Sequence, residues 1–125
     1  MGVLNITPDS FSDGGKLFQG DTVVLDAVRE QALVMIAGGA AVLDIGGESS
    51  RPGAQAVSPA EEQRRVLPVL EALSDLDVIL SVDTYHPETV HAAIVHGAGM
   101  INDITGGRDP TVVSAVAEAN VAYAL

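Results

Sequence analysis

The chain has 125 residues, 47% of them hydrophobic and 3% aromatic, with a net charge of −11. That balance excludes a disordered segment, a nucleic-acid backbone binder, which needs a basic face, and a polybasic membrane anchor. With no cysteine, a disulfide framework and a thiolate zinc site are excluded too.

The length suits at most one small domain. The most apolar stretch, Ala32 to Leu43, carries two glycines and stops at Asp44, well short of the roughly 20 residues that span a bilayer. No basic region precedes an apolar run, so no signal peptide is expected. The expectation is a soluble, cytoplasmic protein.

Short runs rich in Val, Ile and Leu alternate with amphipathic stretches along the whole chain. The first run, Gly2–Ile6, predicts a strand, and a long polar loop follows it to Gly14-Gly15 with Phe11 as its one large apolar residue. Leu25, Val28, Ala32, Met35 and Ile36 keep helical spacing, and Gly38-Gly39 stops the helix. A second strand is predicted at Ala41–Ile45. Ser58-Pro59-Ala60-Glu61 is a capping box with Pro at the first helical position, opening a helix whose apolar face is Val66, Val69, Leu70 and Leu73. Pro68 lies inside that helix and is expected to bend or split it. A third strand is predicted at Val78–Val82. A helix from Pro87 to Gly97 follows, then a strand at Met100–Ile104, a helix from Asp109-Pro110 and a strand at Val121–Leu125. Nearly continuous apolar strands are those of parallel sheets covered on both faces, and the βαβαβαβαβ order calls for such a sheet. An open doubly wound sheet and a (β/α)8 barrel both remain open. A full barrel takes about 250 residues, so the second option makes this chain about half of one, with unpaired edges at its terminal strands.

Polar side chains stand near the carboxyl end of each run: Asn5, Asp44, Asp83, and Asn102 with Asp103. Ligands bind at that end in barrels and in open α/β sheets. Any one of these residues alone is better read as a turn former or helix cap. Four in succession after buried runs favour a site, because desolvated carboxylates need an answering group. The loop around Phe11 has the hydroxyls, glycines and single aromatic of a closing loop, although an ordinary surface connection has a similar composition. In Asp44-Ile-Gly-Gly-Glu-Ser-Ser-Arg-Pro-Gly-Ala54, the glycines permit close backbone approach. Arg51 there offers a planar fork to an anion, with Ser49 and Ser50 beside it. Asp83 and Asn102, on adjacent predicted strands, offer the acceptor and amide groups that an aminopyrimidine edge needs.

Together the Asn5–Gly15 and Asp44–Gly53 segments resemble the two signatures of the dihydropteroate synthase family, and the likeness extends along the whole chain in order. The resemblance implies an α/β fold, a (β/α)8 TIM barrel of which residues 1–125 are a partial pterin-binding domain truncated after the fifth strand, with five strands and four helices. It implies condensation of a dihydropterin-methyl pyrophosphate with p-aminobenzoate in folate biosynthesis, with Mg²⁺ as cofactor, sulfonamides as inhibitors and a homodimer as the assembly. Carried over to this sequence, it places Asp83 and Asn102 on the pterin, with Asp44 and Ile104 lining the same pocket. Asn5 falls on the metal-bound pyrophosphate and Arg51 on that anion, making Asp83, Asp44 and Arg51 the catalytic set. Phe11, Ser50 and Pro52 belong to the loops that form the p-aminobenzoate site. Ser50 stands where many members carry Thr, so the fit of p-aminobenzoate or a sulfonamide is expected to differ.

The family's later pterin-binding Asp, its Lys after Ser-Phe-Gly and its final Arg-x-His lie beyond Leu125. Residues 1–125 by themselves are therefore expected to be inactive. Two other readings are a non-catalytic homologue that binds pterin, and the pterin-binding domain of a methyltetrahydrofolate methyltransferase. The second needs neither a pyrophosphate site nor a p-aminobenzoate site, and both signature loops are present here.

Overall fold

A computed structural model describes residues 1–8, 17–19, 22–49 and 52–125. The main sheet contains β1 (Gly2–Asn5), β4 (Val42–Gly46), β5 (Ile79–Asp83), β6 (Met100–Asn102) and β7 (Ala122–Ala124), in that order and parallel throughout. Each of these strands lies within two residues of its predicted bounds. Helices α1 (Leu25–Ala37), α2 (Pro59–Leu73), α3 (Pro87–Val95) and α4 (Pro110–Ala119) form the crossovers. A two-stranded antiparallel ribbon, β2 (Phe18–Gln19) with β3 (Thr22–Val23), was not among the predicted elements. Two residues per strand are too few to show any periodicity, although the intervening Gly20-Asp21 pair is one that hairpins favour.

The helices start where local chemistry makes them start. Ser58 accepts the Glu61 N–H at 3.2 Å and Asp109 accepts the Thr111 N–H at 2.9 Å; Pro stands in the first turn of α2, α3 and α4. Pro68 does not split α2, which runs unbroken from Pro59 to Leu73. A mid-helix proline costs about 3 kcal/mol. Val66, Val69, Leu70 and Leu73 are fully buried on the inward face of α2, and each such side chain returns about 1.5–3 kcal/mol. Packing therefore outweighs the missing hydrogen bond.

The parity of the strands decides which residues can form a site. Leu4, Leu43, Ile45, Leu80, Val82 and Ile101 point to the helix side and are buried there. The intervening positions point the other way. In register on that second face lie Asn5, Gly46, Asp83, Asn102 and Ala124, one row across all five strands. One step back lies Val3, Asp44, Ser81, Met100 and Ala122. Residues paired in register share a face, so Asn5, Asp83 and Asn102 form a single line, with Asp44 one row behind. Among the described residues no helix is long and apolar enough to cross a membrane.

Candidate active site

Asp83 occupies the centre of that row. Burial comes first, and then the nearby carboxylates of Asp44, Glu62, Glu48 and Asp103, in raising its proton affinity so that it titrates at about 6. Among the described residues no donor meets this carboxylate. Asn102 stands beside it on β6 and donates from Nδ2 to Asp44 Oδ2 at 2.9 Å. The other Asp44 oxygen accepts from Ser81 Oγ at 2.7 Å. Asp44 is only 5% exposed, and both of its oxygens are engaged. Its geometry is that of a group that fixes the Asn102 side-chain amide, whose Oδ1 meets no donor among the described residues.

Asp103 follows Asn102 in sequence but points to the opposite side of the sheet. It is fully buried and accepts from Thr105 N (2.8 Å), Thr105 Oγ1 (2.7 Å), Gly107 N (3.2 Å) and the Tyr123 hydroxyl (2.6 Å). Burial pushes its proton affinity up, but these donors outweigh it and hold the carboxyl below the usual range. The grouping of Asp103 with Asn102 as a strand-end pair is thus corrected: Asp103 organises the turn after β6.

Asn5 is exposed at the end of β1. Ile104 is 62% exposed and lines a shallow concavity with Asp83, Thr84, Tyr85, Glu48, Ser49 and Glu62. Pro52 is exposed in a turn whose next residue, Gly53, has φ +82°; that backbone region favours glycine. Phe11, Ser50 and Arg51 lie outside the described residues. A wider concavity of about 580 Å³ has Pro8 from the first loop on one side and Ser49, Gly53, Ala56 and Arg65 on the other. The two signature segments therefore border one space.

Sequence reasoning missed a clamp behind Asp83. Glu62 on α2 is 1% exposed and accepts from Thr84 Oγ1 at 2.8 Å, with His86 Nδ1 also 2.8 Å away. Glu48, after β4, accepts from the Tyr85 hydroxyl at 3.0 Å and the Val57 N–H at 3.4 Å. Glu48, Glu62 and His86 bring one ligand-type atom each within 4.8 Å of one another, yet protein donors already serve both carboxylates. Spacing could have revealed Glu62, since it lies four residues before Val66 and eight before Leu70, on the buried stripe of α2.

Gly47 lets α2 approach this closely. A Cβ there would sit 3.0 Å from Val66 Cγ2, 3.2 Å from Glu62 Cγ and 3.3 Å from the Glu62 carbonyl oxygen. The last is helix backbone and cannot rotate away. Gly47→Ala is expected to lower stability by about 1–3 kcal/mol, measured by urea unfolding; an unchanged midpoint would show that the helix can give way.

The family model for pterin-binding enzymes matches residues 1–125. The chain belongs to that family. It is 50% identical to the dihydropteroate synthase of Bacillus subtilis, an alignment covering 100% of this chain and 43% of the relative. Among solved structures, the dihydropteroate synthase of Xanthomonas albilineans with 4-aminobenzoic acid matches at TM-score 0.81 and 48% identity, over 98% of this chain and 44% of that one. That of Burkholderia cenocepacia complexed with 7,8-dihydropteroate matches at TM-score 0.79 and 44% identity, over 98% and 38%. The chain spans less than half the length of these relatives, and its five-stranded sheet and four crossovers correspond to part of their (β/α)8 barrel.

Proposed function

We propose that the protein carrying this chain is a dihydropteroate synthase, joining a dihydropterin-methyl pyrophosphate to p-aminobenzoate with release of pyrophosphate. The observation that carries this reading is the row Asn5, Asp83 and Asn102 on one sheet face, with Glu48 and Ser49 of the second signature segment lining one concavity with Asp83. The 4-aminobenzoic acid and dihydropteroate named with the Xanthomonas and Burkholderia enzymes support the substrate pair.

Asp83 is an acceptor that no donor among the described residues meets, and the amino and ring N–H groups of a pterin supply two. Asn102, its Nδ2 held by Asp44, presents an acceptor oxygen to the same ring edge. As the carbon–oxygen bond to pyrophosphate lengthens, positive charge grows on the pterin methylene. The ionised Asp83 carboxylate, partly removed from water, stabilises that charge, and Asp44 acts through the Asn102 amide. The p-aminobenzoate nitrogen then forms the new carbon–nitrogen bond as the carbon–oxygen bond breaks, pyrophosphate departs with the bonding pair, and the nitrogen gives up one proton to solvent. Arg51 takes the anion-binding role that the resemblance assigns to it, and Phe11, Ser50 and Pro52 form the p-aminobenzoate side.

A magnesium ion fits the donor at Asn5: an exposed amide oxygen with no described side-chain hydrogen bond is a hard, neutral ligand, and Mg²⁺ keeps most of its waters and phosphate oxygens. When bound, it would neutralise charge on the leaving pyrophosphate. The same reading places the protein in the cytoplasm as a homodimer.

The test is an assay of the whole protein, with whatever flanks residues 1–125, for dihydropteroate and pyrophosphate released in equal amounts. Chelation of divalent cations is expected to abolish turnover and added Mg²⁺ to restore it. Tight binding of a pterin with no product under these conditions would replace this reading with a non-catalytic one.

A further inference from the structure

We propose that Glu62 is a positioning residue for Asp83, bolting the turn after β5 to helix α2 and so aiming the Asp83 carboxylate. The proposal rests on the reading of Asp83 as the pterin acceptor. A carboxylate buried between helix and sheet is costly, and an aliphatic side chain at such a place is often as stable or more so. Its neighbours along the stripe, Val66, Val69, Leu70 and Leu73, are all aliphatic. Stability therefore gives no reason for a Glu there.

Its contacts supply one. The Thr84 hydroxyl donates to Glu62 Oε2 at 2.8 Å and itself accepts the His86 N–H at 3.1 Å, while His86 Nδ1 meets the same Oε2. The Thr84 N–H donates to the backbone carbonyl oxygen of Asn102 at 3.1 Å. Thr84, 2% exposed, is thus tied to α2 on one side and to β6 on the other. It is also the residue directly after Asp83. Because no described donor holds the Asp83 carboxylate, its direction is set by the backbone that follows, and Glu62 sets that backbone. The bare Gly47 brings α2 within reach.

Glu62 also acts at a distance. The charges that act on Asp83 are Asp44 from β4, Glu62 from α2, Glu48 from the loop after β4 and, from the other side of the sheet, Asp103 in the turn after β6. Glu62→Gln keeps an acceptor oxygen for Thr84 and His86 but removes one of these charges.

The experiment measures binding of 6-hydroxymethylpterin to the whole protein by calorimetry between pH 5 and 8. At pH 8, Glu62→Ala is expected to weaken binding about tenfold or more, the scale of effect that a misplaced group produces, and Glu62→Gln to restore most of it. Glu62→Gln is further expected to move the pH of half-maximal affinity down by about half a unit, which a purely structural role would not do. Unchanged binding by a folded Glu62→Ala, or an unmoved pH midpoint in Glu62→Gln, would overturn the proposal. If Glu62→Ala does not fold, the Glu62→Gln midpoint decides. Asp83→Asn in the same titration separates the two readings: wild-type binding there would sink the role of Asp83 itself. Lost binding there with normal Glu62 variants would sink only the positioning.

Discussion

Asp83→Asn is expected to weaken pterin binding at least about 30-fold, the scale for removing one side of a charge-assisted pair, while making the fold more stable at neutral pH. The sign follows from the titration of Asp83 at about 6, well above the ordinary value near 4. In the folded protein this group binds its proton more tightly than in the unfolded chain. Between about pH 4 and pH 6 the folded state therefore carries more protons, stability falls as pH rises, and above pH 6 the loss is complete. Asparagine cannot ionise, so it escapes that loss. Part of the carboxylate still meets solvent, which reduces the gain to about 1–2 kcal/mol. Urea unfolding at pH 4.5 and pH 7.5 measures it: the variant should gain on the wild type at the higher pH and nearly match it at the lower. A variant less stable than wild type at pH 7.5 would show that Asp83 has a favourable partner in the fold. An ionised group kept where it costs stability is the ordinary cost of a prepared binding site.

Two adjacent residues should give opposite results. Asp103→Ala leaves four donors without their acceptor inside the protein and is expected to lower stability by about 3 kcal/mol or more. Tyr123 would be affected with it: burial and then the hydrogen bond to Asp103 push its hydroxyl up to about 12. Loss of the carboxylate should bring the tyrosine titration down, which ultraviolet absorbance follows directly. Asn102→Ala removes one of two donors from Asp44, where Ser81 remains. It is expected to cost only about 1 kcal/mol of stability and to weaken pterin binding severely. Denaturant unfolding and pterin titration on both variants give four values. Equal stability losses would mean that the two faces of β6 are not divided as described.

Much of this arrangement is legible in the sequence because strands and crossover helices impose their periods strongly. The apolar runs ending near Asn5, Asp83 and Asn102 gave the parallel order, and parallel strands in register bring those residues into one row. What the sequence hid was side. Asn102 and Asp103 read as a pair of polar residues, yet the two-residue period of a strand sends them to opposite faces. Glu62 was hidden by its position beside Glu61 in the first turn of α2, where acidic residues ordinarily serve the helix dipole. Its place on the buried stripe needed the partner Thr84, 22 residues away, to acquire meaning. Pro68 shows the converse: a local rule against proline yields where four aliphatic side chains hold the helix down. The ribbon of Phe18–Gln19 with Thr22–Val23 was too short to leave any periodic trace.

Asp83 and Asn102 are expected to present one acceptor edge to a pterin. A crystal structure of the whole protein with 6-hydroxymethylpterin bound tests it most directly. The pterin amino and ring N–H groups are expected within hydrogen-bond distance of the Asp83 carboxylate, with Asn102 Oδ1 on the same edge and Asp44 still holding Asn102 Nδ2. A pterin bound elsewhere, or bound at this face with its N–H edge turned away from Asp83, would contradict it.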